Sequence, residues 1–236
     1  MPKISHQSIS KTYGYSQALA NEDRHILCPN LVAIADGAGG TGILCGEWAG
    51  FLLEHLPTQN LVNFEAFLAF LEPQAQAFVD KFEPLMQQDA FQLKRFYQEG
   101  SAAALAALWQ NAEGFQWLTY GDCHVFYYAA GQLQSYPYSQ IEQFSGRSYL
   151  LNWCAMPLQE GFAMGHFPCV AGSKILLATD AIAKYILQQY QQNKSNFDAF
   201  LQELKTALAS PEQFNEYIKT QKNIDEDDYT LILLEV

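Results

Sequence analysis

Leu31-Val32-Ala33-Ile34-Ala35-Asp36-Gly37-Ala38-Gly39-Gly40-Thr41-Gly42 is the stretch on which the architecture turns. Its first five residues are continuously apolar, as in a strand covered on both faces. It then breaks at an aspartate into a run so rich in glycine that the backbone must bend sharply or approach another group closely. Upstream, Arg24 to Leu27 and the loosely alternating Ile4 to Ser10 read as two more strands. Downstream, Trp48, Ala49, Leu52, Leu53 and Leu56 recur at helical spacing. Phe64 to Phe82 reads as a second helix, with a break expected at Pro73.

Further along, Ser101 to Trp109 fits strand or helix equally. Gln116 to Tyr128 reads as two strands around Gly121-Asp122, and Ala130-Gly131 turns into a hairpin strand, Gln132 to Tyr136. Pro137 to Pro168 gives no clear pattern. Lys174 to Ala178 is another apolar strand ending at Thr179-Asp180. Helices are expected over Ile182 to Gln192, Phe197 to Ala209 and Glu212 to Lys219, and a last strand over Tyr229 to Val236. Strands arrive in groups with helices paired between them, which is α+β order, accommodated by sheet packed on sheet with helices outside. No linker or repeat divides the chain, so residues 1–236 read as a single domain.

Bulk properties narrow the function. Of 236 residues, 49% are hydrophobic and 16% charged, so the chain is globular in composition. A net charge of −12 makes nucleic acid and anionic membrane poor partners. The five cysteines (Cys28, Cys45, Cys123, Cys154, Cys169) form no Cys-x-x-Cys pair, and no apolar leader precedes them. Free thiols and a cytoplasmic setting are therefore expected, without a zinc site or disulfide framework.

The chemistry lies at strand ends. Asp36, Asp180 and Asp227 each sit where an apolar strand meets a loop, and Asp122 sits in a turn between two strands. Any one of them alone is explained as a turn former. Several converging would repel one another unless a cation neutralised them, and carboxylate oxygens suit Mg²⁺, Mn²⁺ or Ca²⁺ rather than zinc or copper. Two such ions about 4 Å apart can share a water, lower its pKa and clamp a phosphoryl group. The glycine run carries no following Lys-Ser/Thr, which excludes a Walker loop. His25, His55, His124 and His166 lack partner spacings and are expected to pack or face solvent. Cys123, beside Asp122, is in a poor setting for a nucleophile because a neighbouring carboxylate raises a thiol pKa.

Several local sequences resemble the metal-dependent protein phosphatases of type 2C, in their bacterial form. Asn21-Glu22-Asp23 is similar to the family's early acidic pair, and Asp36-Gly37-Ala38-Gly39-Gly40 to its Asp-Gly-x-Gly-Gly loop. Gly121-Asp122-Cys123-His124 is similar to its Gly-Asp-Ser-Arg turn. Leu176 to Asp180 is similar to its strand ending in Ser-Asp-Gly, and Asp227-Asp228-Tyr229-Thr230 to its closing motif. They run in family order across nearly the whole chain. The resemblance implies a four-layer αββα sandwich, with two antiparallel sheets flanked by helices. It also implies hydrolysis of phosphoserine or phosphothreonine in proteins by a metal-activated water. Asp36 would bridge two Mn²⁺ or Mg²⁺ ions, and the Gly37 carbonyl would bind the first. Asp180 and Asp227 would complete the second. Glu22 and Asp23 would hold metal-bound waters, and Asp122 would help bind a third, looser ion. The implied partner is a phosphorylated protein, the substrate of a bacterial Ser/Thr kinase, and a monomer is expected.

The departures are specific. The family's phosphate-binding arginine would fall near Ala18, where no base stands. Ala38 replaces a histidine of animal members, Ala181 replaces a glycine, and Cys123-His124 replaces Ser-Arg. No Thr-x-Asp-His motif is visible. Arg24 is the nearest substitute for the arginine, although its strand position suits a structural role better. The alternative reading is a catalytically weak or inactive relative kept as a regulatory or binding module.

Overall fold

The computed structural model describes residues 2–11, 20–146 and 148–236. Eleven strands and six α-helices follow one another: β1 (Lys3–Ile9), β2 (Arg24–Cys28), β3 (Leu31–Gly37), α1 (Cys45–His55), α2 (Phe64–Met86), α3 (Ala90–Glu99), β4 (Ala102–Asn111), β5 (Gly114–Tyr120), β6 (His124–Ala129), β7 (Gln132–Tyr136), β8 (Leu151–Asn152), β9 (Phe162–Pro168), β10 (Lys174–Ala178), α4 (Asp180–Gln192), α5 (Phe197–Ala207), α6 (Pro211–Thr220) and β11 (Tyr229–Glu235). One sheet has the order β1-β11-β10-β6-β7. The other has the order β2-β3-β4-β5-β9, with β8 beside β4. Every strand pairing among the described residues is antiparallel.

Strand periodicity sorts the apolar residues into three layers. Side chains alternate faces along a strand. On β3, Leu31, Ala33 and Ala35 pack against α1 and α2 with Trp48, Leu52, Phe67 and Phe78. The intervening Val32 and Ile34 face the other sheet, where they meet Val125, Leu177 and Ile232. On β10 and β11, Leu176, Ala178, Leu231 and Leu233 face α4, α5 and α6 with Ile186, Leu201 and Phe214. The expected four-layer αββα sandwich is the observed one.

Local differences from the sequence reading have physical causes. The alanine-rich Ala102–Asn111 is a strand, because it is paired on both sides by β3 and β5 and helix propensity yields to that pairing. α2 runs through both Pro73 and Pro84 without ending. Each proline and the residue four before it, Ala69 or Asp80, is exposed, so the carbonyl left without a donor is solvated. α3 has no counterpart in the sequence reading. Asp89 caps it, accepting from the Phe91 and Gln92 N–H groups. The segment without a clear pattern, 137–168, contributes the short β8 and the edge strand β9.

Candidate active site

Register carries the acids together. Ala178 pairs with His124 across β10 and β6, so Asp180 and Asp122 lie opposite each other two residues beyond that pair. Ile9 pairs with Tyr229 across β1 and β11, so Lys11 and Asp227 meet in the same way. In the second sheet Asp36 is the next residue after Ile34 on the face turned toward the first sheet. The result is a cavity of about 850 Å³ at one end of the sandwich, with Asp36, Asp122, Asp180, Asp227 and Gly37 on its wall.

The glycine run shapes one side. A Cβ on Gly37 would lie 2.7 Å from the backbone of Cys45 and Gly46, so the strand can meet the start of α1 this closely only as glycine. Gly39 leaves room for the Glu22 carboxylate, which a Cβ there would meet at 1.9 Å. The Gly37 carbonyl accepts from the Gly39 N–H at 2.9 Å. Gly121, at φ 83°, lets the turn before Asp122 pass under the Tyr149 carbonyl.

Three of the wall carboxylates rest on partners of their own. Asp180 Oδ1 accepts from the Ala181 N–H at 2.5 Å, Asp122 accepts from the Ser148 hydroxyl, and Asp227 Oδ1 accepts from the Lys11 ammonium at 3.0 Å. Among the described residues no group of three or more His, Cys, Asp or Glu side chains is arranged to hold a metal ion. The acids share a cavity without closing on a common point.

Glu22 and Asp23 stand behind this wall and do not line it. Asp23 is buried; its Oδ2 accepts from the Thr179 hydroxyl at 3.0 Å, while its Oδ1 has no hydrogen-bond partner among the described residues. Burial, and then the carboxylates of Asp228 and Asp180, push its pKa up to about 8. Asp36 is raised well above the ordinary carboxylate range by burial, then by Asp23, Asp180, Asp122 and Asp227. Asp180 is pushed up to about 7 by burial, then by Asp122 and Asp227. Burial also raises Asp122. Four carboxyls are thus held against their preferred charge, and the available donors are all oxygen. The donor chemistry of that set suits hard divalent cations, although no three of its carboxyls are drawn together on one point.

Other candidates resolve into structural parts. The Arg24 guanidinium donates to the carbonyls of Asn21 and Asp23, clamping the turn that carries the acidic pair. His124 is fully buried. Its Nδ1 donates to the Asp122 carbonyl at 2.7 Å, Nε2 accepts from the Tyr138 N–H, and burial pulls its pKa down to about 4. Cys123 is buried and its thiol is raised, first by burial and then by the neighbouring aspartates. Ala181 sits in the first turn of α4, where no positive φ is needed, so the missing glycine leaves no strain there. Ala18, the place expected for the arginine, lies outside the described residues.

Two contributors were missed. Lys11 is the one base on the cavity wall among the described residues. Asp228, buried beside Asp227, accepts the Lys11 N–H at 2.8 Å and the Glu22 N–H at 2.7 Å, stapling both to the start of β11. Its adjacency to Asp227 was visible, but nothing in an Asp-Asp pair distinguishes a staple from a ligand. Ser148, Tyr149 and Leu158, from the segment without a clear pattern, also line the wall.

Solved structures match this architecture from end to end. The serine/threonine phosphatase PstP/Ppp of Mycobacterium tuberculosis superposes with a TM-score of 0.61 at 16% identity, over 100% of this chain and 98% of that one. The chain has the fold of the type 2C-like Ser/Thr phosphatases. The phosphatase MsPP of Mycobacterium smegmatis, solved with cacodylate, has this fold with a TM-score of 0.63 at 11% identity, over 99% and 98% of the two chains. The PstP catalytic domain in complex with two manganese ions gives 0.58 at 17% identity, over 99% and 97%. No family model and no curated protein matches the sequence. Among the described residues no helix is long and apolar enough to cross a membrane.

Proposed function

We propose that this chain is a metal-dependent phosphatase acting on phosphoserine or phosphothreonine in proteins. The reading is carried by one observation: four aspartates from distant parts of the chain share one cavity, and three of them, Asp36, Asp122 and Asp180, are raised by burial in a way that a divalent cation would relieve. The fold shared with bacterial Ser/Thr phosphatases supports it, and supports an enzyme over a binding module.

Asp36, Asp180, Asp227 and the Gly37 carbonyl are the groups that would hold two Mn²⁺ or Mg²⁺ ions, with Asp122 toward a third. Bound there, divalent cations would supply an activated water and neutralise phosphoryl charge. The chain's own part is positioning. Asp23, tied to Thr179, and Asp228, tied to Glu22, fix the strand ends from which the ligands project. A phosphorylated side chain on a protein surface would enter through the cavity of about 850 Å³ that these residues line. A bacterial Ser/Thr kinase would supply that substrate, and a cytoplasmic monomer would suffice for the reaction.

Purified protein should hydrolyse p-nitrophenyl phosphate and phosphothreonine peptides with Mn²⁺ and not with chelator. Asp36→Asn should reduce turnover by at least about 100-fold, the scale of losing a central electrostatic group. Absence of turnover on aryl phosphates and phosphopeptides alike would remove the enzyme reading.

A further inference from the structure

Beside the acidic cavity, helix α2 walls a second one. Leu68, Leu71, Glu72 and Ala75 stand at i, i+3, i+4 and i+7, so one face of the helix supplies them all. With Trp48, Trp153 and Met156 they enclose a groove of about 390 Å³. Its floor is firmly held. Trp48 Nε1 donates to the Leu151 carbonyl at 2.8 Å, and the Asn152 side-chain amide donates to the Glu99 carbonyl at 2.8 Å. The Trp153 ring packs on Phe96 with centroids 4.7 Å apart. Among the described residues that line the groove Glu72 is the one charged side chain, and it is exposed.

Asn152, Ala155 and Met156 border this groove and the acidic cavity alike. Met156 is 79% exposed, so it stands as a crest between the two. Tyr149 and Leu158 are also exposed, on the cavity side of that crest. Large apolar side chains left in solvent within residues 149–158 mark a surface where another protein is received.

We propose that the groove is a specificity subsite: it takes a large apolar side chain of the phosphoprotein, close in sequence to the phosphorylated residue. This rests on the phosphatase reading of the acidic cavity. A peptide drawn over Ala155 and Met156 has its phosphorylated residue on one side of the crest and a neighbouring residue on the other. A leucine or phenylalanine there exchanges water for the side chains of Leu68, Trp48 and Trp153, and the unbranched Met156 can fold over it. Binding energy gained away from the reacting phosphorus favours peptides over small phosphate esters.

The test compares p-nitrophenyl phosphate with a family of phosphothreonine peptides, all with Mn²⁺. The peptides are alanine-flanked except for one leucine. It is moved through each position within about four residues of the phosphothreonine, a reach of ~13 Å at ~3.3 Å per residue. At one position leucine should raise kcat/KM roughly 10-fold over the all-alanine peptide, mostly through KM, the scale of burying one apolar side chain. Ala75→Phe fills the groove and should erase that gain while leaving turnover of p-nitrophenyl phosphate unchanged. Leu68→Ala, which strips one wall without adding bulk, should shrink the same gain and serves where Ala75→Phe folds poorly. Preference for leucine at no position, or a gain that survives both substitutions, overturns the proposal. So does a groove that joins two copies of this chain, seen in sedimentation as a dimer that Ala75→Phe breaks. Failure here with p-nitrophenyl phosphate still hydrolysed leaves the phosphatase reading standing, whereas no turnover on any substrate removes both.

Discussion

Replacing Asp180 by asparagine separates the cost of the site from its use. In the metal-free protein the Asp180 carboxyl is pushed from 3.8 to about 7 by burial and by Asp122 and Asp227. A raised carboxyl leaves stability intact below the unfolded pKa and removes it as pH climbs through the folded one, so the loss here spans about pH 4 to 7. At about 1.4 kcal/mol per pH unit, ionising Asp180 in the fold costs on the order of 4 kcal/mol. Asparagine keeps the shape and an oxygen for the Ala181 N–H, but it forfeits part of a charge-assisted bond worth about 1–2 kcal/mol. At pH 8 without metal, Asp180→Asn should therefore be more stable than the unaltered protein by roughly 2 kcal/mol. At pH 5, where the folded carboxyl is still protonated and only about one pH unit of that loss has accrued, the two should be nearly equal in stability.

Manganese should reverse the order. A ligand that binds only the folded state at about 100 times its Kd adds about 2.7 kcal/mol. For a chain of 236 residues that corresponds to roughly 5–10 °C in Tm. The unaltered protein should show this rise and Asp180→Asn should lose most of it. Thermal melts at pH 5 and pH 8, with chelator and with Mn²⁺, read all four conditions. Equal metal-free stabilities at pH 8, or an undiminished manganese response in the variant, would refute the repulsion argument.

Two further substitutions test the scaffold. Asp228→Ala strips the acceptor from the Lys11 and Glu22 N–H groups and should cost about 2–4 kcal/mol in urea unfolding, with Asp228→Asn costing less. Gly37→Ala should cost about 1–3 kcal/mol, because its Cβ would lie 2.7 Å from the backbone at the start of α1. Gly40→Ala, which meets nothing within 4 Å, should stay within about 0.5 kcal/mol. Equal costs at residues 37 and 40 would count against the close approach of strand and helix.

Much of this architecture was legible because the strands that matter carry uninterrupted apolar runs. Leu31 to Ala35 and Lys174 to Ala178 need both faces covered, and sheet on one side with helix on the other is how they are covered. The aspartates were legible because each ends such a run. What the sequence did not show depends on partners distant in the chain. Ala102 to Ala107 is helical by propensity and becomes a strand only because β3 and β5 flank it. Pro73 reads as a helix stop until its exposed face is known. Lys11 carried no motif at all. Its meaning comes from the register of β1 on β11, which sets it opposite Asp227.

The location of Asp36 follows from the same alternation that builds the core. Even-numbered β3 residues and odd-numbered β10 residues face the inter-sheet layer, so Asp36 and Thr179 continue that apolar face at the point where the strands stop. Inside the layer a carboxylate would have neither water nor donor, and a hydrophobic residue would replace it at little loss. Beyond the ends it would be fully solvated and unshifted. Only at the boundary are carboxyls dry enough to be held near neutrality and open enough to be reached by an ion. The buried Asp23 marks the inner limit of that boundary, and the 44% exposure of the Asp227 side chain marks the outer one. A reaction that needs cations gathered at a fixed place and an anion admitted from solvent is suited to this edge and to neither side of it.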